Sequence, residues 1–270
     1  MDLQLKGKVA LVTGSSKGIG EAIARTLARE HATVIVHGRD MAQTARVAAD
    51  ILAQGGVAHA VTGDLTDDDQ VHRMLDDATN AVGPVDILVN NAGGSGGLKD
   101  DWTTTQPSSW LAAFDRNALA AVRVTTRLLP RMRQARWGRV INISSLAASM
   151  PPASGPAYAA SKAAMNAMTA SMAKAVAGEG ITVNAVSPGT IHSAALDARF
   201  REAAREHGLP PDADWSDIEA AVLPLFAQVP VGHVGRLDDI AHVVAFLASP
   251  LAGYITGINL RVDGGLSPIL

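Results

Sequence analysis

Val9-Ala10-Leu11-Val12-Thr13-Gly14-Ser15-Ser16-Lys17-Gly18-Ile19-Gly20 is a short apolar run that closes on spaced glycines and passes into an alanine-rich stretch. Four consecutive aliphatic side chains without polar alternation read as a strand buried on both faces, as in a parallel sheet. The stretch from the glycines to about Glu30 reads as a helix. Strand, glycine turn and helix in that order form a cradle. The glycines let the backbone approach a phosphate, and the first helical turn offers unpaired N–H groups at the positive end of its dipole. The spacing is GxxxGxG rather than GxGxxG, and the other reading of these residues is a plain strand-to-helix turn.

The same alternation continues outward. Residues 33–36, 57–61, 87–90, 139–143 (RVINI), 181–187 (ITVNAVS) and 259–262 read as strands. Residues 41–54, 67–82, 108–134, 157–179 and 238–248 read as helices between them. Strands and helices alternating from end to end predict an α/β fold, a doubly wound parallel sheet of the Rossmann type, as a single domain over residues 1–270. The one long irregular region, 188–236, holds a helical patch at 194–207 and a turn-rich piece at 208–214. A segment of that length in a compact domain reads as a helical lid, here over 190–235.

Composition narrows the function. Of 270 residues, 47% are hydrophobic and 18% charged, an ordinary globular balance. There is no cysteine, which excludes disulfides, thiolate metal sites and cysteine nucleophiles. The net charge of −3 without a basic run argues against nucleic acid as a partner. No apolar run reaches the ~18 residues of a membrane span. The first residues enter a strand almost at once, which leaves no room for a signal peptide, so a cytoplasmic protein is expected. The eight histidines are scattered; His31, His37, His59 and His72 read as surface or loop residues, and no metal site is expected.

The tip of the second strand reads His37-Gly38-Arg39-Asp40, with Arg39 nineteen residues past Gly20. In dinucleotide folds this tip meets the adenosine ribose, where a carboxylate binds the 2′-hydroxyl and an arginine accepts a 2′-phosphate. Gly38 leaves space, Arg39 supplies charge and Lys17 adds a second cation, which predicts NADP(H) in preference to NAD(H). Asp40 stands one step further, where it can start the next helix or reach the ribose.

Tyr158 and Lys162 lie four residues apart in YAASK and so share a helix face. The stripe continues through Met165, Thr169, Met172 and Val176, residues of the kind a protein buries. A tyrosine hydroxyl titrates near pH ~10, and a neighbouring ammonium favours the phenolate. The pair is therefore a candidate acid/base device.

Taken together these residues resemble the short-chain dehydrogenase/reductase family over nearly the whole chain. Thr13-Gly14-x-x-x-Gly18-Ile19-Gly20, Asp64-Leu65, Asn90-Asn91-Ala92-Gly93, Asn117, Ser145, Tyr158-x-x-x-Lys162, Ser187-Pro188-Gly189-Thr190 and Val262-Asp263-Gly264-Gly265 occur in the family's order. The resemblance implies that Tyr158 is the general acid in carbonyl reduction and the base in alcohol oxidation. It implies that Lys162 lowers the pKa of Tyr158 and holds the nicotinamide ribose. Ser145, with Ser144 as the competing candidate, would polarise the substrate oxygen, and Asn117 would hold a water behind Lys162; without the resemblance, Asn117 reads as a polar residue on a helix exterior. Ser16 and Lys17 belong to the phosphate loop with its glycines and Ile19. Asp64 and Leu65 would flank the adenine, Asn91, Ala92 and Gly93 would line the ribose and rear wall, and Thr190, after Pro188-Gly189, would reach the carboxamide or pyrophosphate.

The resemblance further implies hydride transfer between the nicotinamide and a small ketone or secondary alcohol, most like the 3-oxoacyl carrier-protein reductases among subgroups. An NAD-dependent sugar or hydroxy-compound dehydrogenase, or a non-catalytic nucleotide-binding regulator, are the alternatives. The opposite face of the Tyr158 helix, Ala160, Ala163, Ala164, Ala167 and Ser171, is small and uncharged. It suggests contact with a second chain, and the family's usual tetramer would use it, the helix bearing Asn117 and the apolar tail from Leu266. Substrate choice is expected to lie in 94–102, 146–156 and 190–235.

Overall fold

The computed structural model describes residues 1–96 and 101–268. The middle of the substrate loop expected at 94–102 and the last two residues of the apolar tail lie outside the described residues.

β1 (Val9–Val12) is buried at all positions, and its side chains alternate between two cores. Ala10 and Val12 join one cluster, Val9 and Leu11 the other. β2 (Thr33–Gly38) repeats the pattern, with Val34 and Val36 on the first face and Ile35 on the second. So does β4 (Ile87–Asn90), with Ile87 and Val89 opposite Leu88. Period-two alternation into two apolar environments is why these strands are apolar throughout.

β3 (Val57–Thr62), β5 (Gly138–Ile143), β6 (Ile181–Pro188) and β7 (Asn259–Val262) complete one sheet in the order β3-β2-β1-β4-β5-β6-β7. Every pairing is parallel. α1 (Gly18–Arg29), α2 (Met41–Ala53) and α9 (Leu237–Ala248) cover the first face through Ile23, Leu27, Val47 and Val244. α3 (Asp68–Val82), α5 (Ala120–Ala135) and α6 (Pro156–Val176) cover the second through Val71, Val124 and Val176. This is the expected doubly wound α/β architecture. Strand order reverses between β1 and β4, and in such sheets ligands bind outside the carboxyl ends of the strands at that switch point.

Two elements differ from the sequence reading. The helix expected over 108–134 is α4 (Pro107–Phe114) and α5 joined by one π-helical turn, Asp115–Leu119. The Ala120 N–H reaches back to the Asp115 carbonyl across the wider turn. Apolar periodicity persists on both sides of it, so the pattern reads as one helix. The region 190–235 carries two helices, not one: α7 (Ala194–Glu206) and α8 (Trp215–Phe226). They enclose a small core of their own, Phe200, Ala204, Ile218, Val222, Leu223 and Val234. α8 carries Pro224 within it, which hides it from a propensity reading. No helix among the described residues is long and apolar enough to cross a membrane.

Candidate active site

α6 begins at Pro156 after Gly155, which takes a left-handed conformation at φ 67°. Proline preset for the first helical turn fixes where the helix starts and so which face Tyr158 occupies. The expected stripe is observed: Lys162, Met165, Thr169 and Val176 are buried, and Tyr158 and Met172 are partly so. Lys162 is 3% exposed and donates from Nζ to the Ile143 carbonyl at the end of β5, 2.7 Å away. Burial depresses its pKa to about 8.

The Tyr158 hydroxyl differs from expectation. Burial raises its pKa, and a hydrogen bond with the Ser145 hydroxyl opposes that rise. Lys162 does not offset the burial: Nζ is 6.0 Å from the Tyr158 ring centroid and engaged at Ile143. The two serines have separate partners. Ser144 donates to the Lys162 carbonyl from a buried position, while Ser145 faces Tyr158 and accepts from the Ala147 N–H.

Asn117 lies in the π turn and is fully buried, not on a helix exterior. Its Oδ1 accepts from the Gly94 N–H at 2.8 Å, and its Nδ2 donates to the Gly94 and Ala113 carbonyls. The extra residue of the π turn aims this side chain at the loop after β4, a placement π turns often serve near functional sites. Gly93 passes between Asn117 and Lys162. A Cβ there would lie 2.5 Å from Asn117 Oδ1 and 3.5 Å from Lys162 Nζ, so no side chain fits.

The cleft along the carboxyl ends of the strands has two lobes of about 650 and 670 Å³ that share Gly14, Lys17, Asn91 and Gly93. The first lobe holds Tyr158, Lys162 and Ser145, with Ile19, Gly20 and the turn Pro188-Gly189-Thr190 as its floor and far wall. The second holds Ser16, Arg39, Asp64, Leu65 and Ala92. Gly18 opens α1, whose N-cap residue Lys17 makes no side-chain capping bond. Gly20 is packed so closely that a Cβ would stand 2.4 Å from the Gly14 carbonyl oxygen. Asn91 braces the loop: its Nδ2 donates to the Thr13 and Gly14 carbonyls, while its N–H and that of Ala92 donate to Thr13 Oγ1. The Asp64 carboxyl is held below the usual carboxylate range by the Thr66 N–H and hydroxyl and, further off, by the charge of Arg39.

His37 corrects the surface reading. It is 2% exposed, on the face of β2 that carries Ile35. Gly14 N–H donates to its Nδ1 at 3.1 Å, so the proton sits on Nε2, which donates to the Gly63 carbonyl at 3.1 Å. Burial depresses the ring's pKa to about 4, against the opposing pull of the Gly63 carbonyl and Asp64. The imidazole thus ties the glycine loop to the end of β3 in one tautomer. A buried ladder also escaped the sequence reading: Asn90 Nδ2 donates to Thr125 and Asn142, and Asn142 Nδ2 donates to Thr169. Its one sequence signal is an asparagine inside each of the apolar runs ILVN and RVINI.

Residues 8–204 match the family model for the short chain dehydrogenases. The chain is 38% identical over 266 residues to the 3-oxoacyl-(acyl-carrier-protein) reductase FabG of Vibrio cholerae, covering 98% of this chain and 99% of the relative. Among solved structures, the L-sorbose reductase of Gluconobacter frateurii in complex with NADPH and L-sorbose superposes with a TM-score of 0.91 at 30% identity, over 100% of both chains. A 7α-hydroxysteroid dehydrogenase in complex with NADH superposes at 0.85 and 31% identity, over 100% of this chain and 98% of the other. The chain belongs to the short-chain dehydrogenase/reductase family, nicotinamide-dependent oxidoreductases acting on CH–OH groups and their carbonyls.

Proposed function

We propose that this chain is an NADP-preferring reductase of ketones, and an oxidant of the matching secondary alcohols, with Tyr158 as the proton donor and acceptor. The observation that carries the reading is Tyr158, which lines the first lobe together with Ser145, one helical turn from the buried Lys162. The residues fit a dinucleotide: a cradle in which Gly14 and Gly20 leave no room for a side chain, an uncapped helix N-terminus for a pyrophosphate, and Arg39 and Lys17 at the adenosine end. When bound, that cofactor supplies or accepts the hydride. Ser145 holds the carbonyl oxygen beside Tyr158, and Tyr158 gives its proton to that oxygen as charge develops there. Lys162 keeps a positive charge beneath the site and orients the ribose, while Asn117 fixes the loop at Gly94 around it. A panel of ketones and alcohols assayed with both cofactors by nicotinamide absorbance tests the reading, and no turnover of any member would overturn it.

The NADP preference rests on the tip of β2. The Asp40 carboxylate accepts from the Gln43 N–H and Gln43 Nε2 as the N-cap of α2. It is engaged there rather than free to take a ribose hydroxyl. A Cβ on Gly38 would lie 2.4 Å from Thr44 Oγ1 and 3.0 Å from Ser16 Cβ, which excludes an acid at that position. Arg39 is exposed at the edge of the lobe. Hydrogen bonds to charged groups contribute about 1.5–3 kcal/mol, and exposure holds the contribution to the lower end. Arg39→Ala is therefore expected to lower the NADP-over-NAD ratio of kcat/KM by roughly tenfold. A ratio the substitution leaves unchanged, or a wild-type ratio favouring NAD, would overturn the preference.

Residues 190–235 serve as a lid in this reading. Its two ends are joined by the Ile191–Gly235 bridge, with His192 N–H donating to the Gly235 carbonyl and Gly235 N–H to the Thr190 carbonyl. α7 and α8 pack on each other beyond that hinge. Amide exchange across α7 and α8 should slow when cofactor and ketone bind; equal exchange in free and bound protein would count against a lid. Assembly through α6 and α4–α5, as a tetramer, is supported by the exposed Ala163, Ala167 and Ser171 beside the exposed Leu111 and Leu119. Light scattering at micromolar concentration should give a multiple of the 27.9 kDa chain mass, and a monomer mass would rule it out.

A further inference from the structure

The catalytic lobe contains three cations and, among the described residues, no carboxylate: Lys17, Lys162 and Arg199 line it without a single Asp or Glu. Two of the three already have a place. Lys17 stands at the start of α1 beside the phosphate cradle, and Lys162 is tied to Ile143 beneath Tyr158. Arg199 has none. It lies on α7, where Ala195, Leu196 and Arg199 follow one another at helical spacing along the cleft. The next residue, Phe200, turns the other way and is fully buried in the lid core.

The Arg199 guanidinium is also held in place. It sits over the Phe226 ring, 4.5 Å from the centroid. Phe226 is itself gripped edge-on by Phe200 at 5.3 Å, and Phe200 packs against Trp215 at 5.6 Å. Stacking on an aromatic face uses the flat side of a guanidinium and leaves its N–H edge free to grip an oxyanion with two parallel bonds. The acid two residues away does not neutralise it: Asp197 is bound by Arg201 at 2.8 Å and by His192 at 3.2 Å. No salt bridge to Arg199 occurs among the described residues.

We propose that Arg199 is a specificity-determining residue that binds an anionic group, a carboxylate or a phosphate ester, carried by the substrate some carbons from the reacting carbonyl. The proposal rests on the reading of this lobe as a ketone site and deepens it to oxo acids, their phosphorylated counterparts and the matching hydroxy compounds. A neutral ketone leaves Arg199 unpaired beside it, whereas an anionic one pairs with the guanidinium and docks with its chain along the apolar Leu196 and Phe226. Binding to a positioned arginine also sets which carbonyl face lies toward the floor of the cleft, so the same contact orders the substrate for proton transfer from Tyr158.

The test compares 3-oxobutanoate, 4-oxopentanoate and 5-oxohexanoate with their methyl esters, and a phosphorylated hydroxyketone with its free alcohol, in wild type, Arg199→Met and Arg199→Lys. Arg199 is exposed, so wild type should favour the anion at one chain length by roughly tenfold in kcat/KM, and Arg199→Met should abolish that ratio while Arg199→Lys restores part of it. Which anion shows the effect separates carboxylate from phosphate. An anion-to-neutral ratio equal in wild type and Arg199→Met at every length overturns the proposal and leaves the ketone reading standing. A rise in cofactor KM as large as the rise for the anion also overturns it, because the guanidinium then serves the cofactor. Where no compound is turned over, the ketone reading fails, and calorimetry of pentanoate and hexanoate with the protein plus NADP+ decides the anion site alone. Binding by wild type that Arg199→Met weakens supports the site, and equal or no binding overturns it.

Discussion

Tyr158→Phe is expected to lower turnover by about 10²–10⁴-fold, the usual contribution of a positioned general acid, while the dissociation constant for the cofactor stays close to wild type. The hydroxyl is the only atom removed. It meets Ser145 and the open lobe, and the ring that remains keeps its place at the start of the buried stripe of α6. Burial holds the Tyr158 hydroxyl protonated, which suits a proton donor in the reducing direction. In the oxidising direction the same burial opposes the phenolate, so alcohol oxidation should rise towards alkaline pH more steeply than ketone reduction falls. Rapid-mixing rates with a saturating ketone check the substitution. Retention of more than about a tenth of wild-type turnover would remove Tyr158 from the role of acid.

Lys162→Met should be comparably inactive, by about 10²-fold or more in kcat, yet melt no lower than wild type. The buried ammonium costs stability. Its pKa falls from 10.5 to about 8 on folding, a burial cost on the order of 3 kcal/mol. Methionine removes that cost and fills similar space beside Met165, while leaving the Ile143 carbonyl without its donor, a loss of about 1–3 kcal/mol. The two changes offset. The pH dependence has a definite sign. Below about pH 8 Lys162 is protonated in both folded and unfolded protein, and the full cost is present. Between about 8 and 10.5 the unfolded chain binds more protons than the folded one, so this group raises wild-type stability as pH rises. The melting temperature of Lys162→Met relative to wild type should therefore fall from pH 7 to pH 10. A fall of more than about 5 °C at pH 7, roughly 2 kcal/mol for a chain of this size, would contradict the balance.

Much of the site is legible in the sequence because its parts are local. Tyr158 and Lys162 share a face through helical spacing alone, and the strand-glycine-helix order of residues 9–20 determines both the first turn of the fold and the shape of its phosphate cradle. The strands are legible for the same reason: a strand flanked by helices on both faces is apolar at nearly every position, as VALV and ILVN are. The π turn at Asn117 is not legible, since one inserted residue leaves the apolar rhythm of α4 and α5 intact on each side. α8 is hidden by Pro224, and it is held by contacts with α7 rather than by propensity.

Sequence by itself therefore determined the sheet, the cradle, the Tyr158–Lys162 face and the family, all of which follow from spacing within one segment or from the order of segments. Only the tertiary structure decided what depends on atoms far apart in the chain. It put Ser144 against Lys162 and Ser145 against Tyr158, and buried His37 between Gly14 and Gly63. It also carried the Lys162 pKa to about 8 and set Arg199 over Phe226. The physical reason is common to all of these. A side chain's hydrogen-bond partner and its solvation are set by whichever backbone and rings the fold brings beside it, and those neighbours are separated from it in sequence by distances that no periodicity reports.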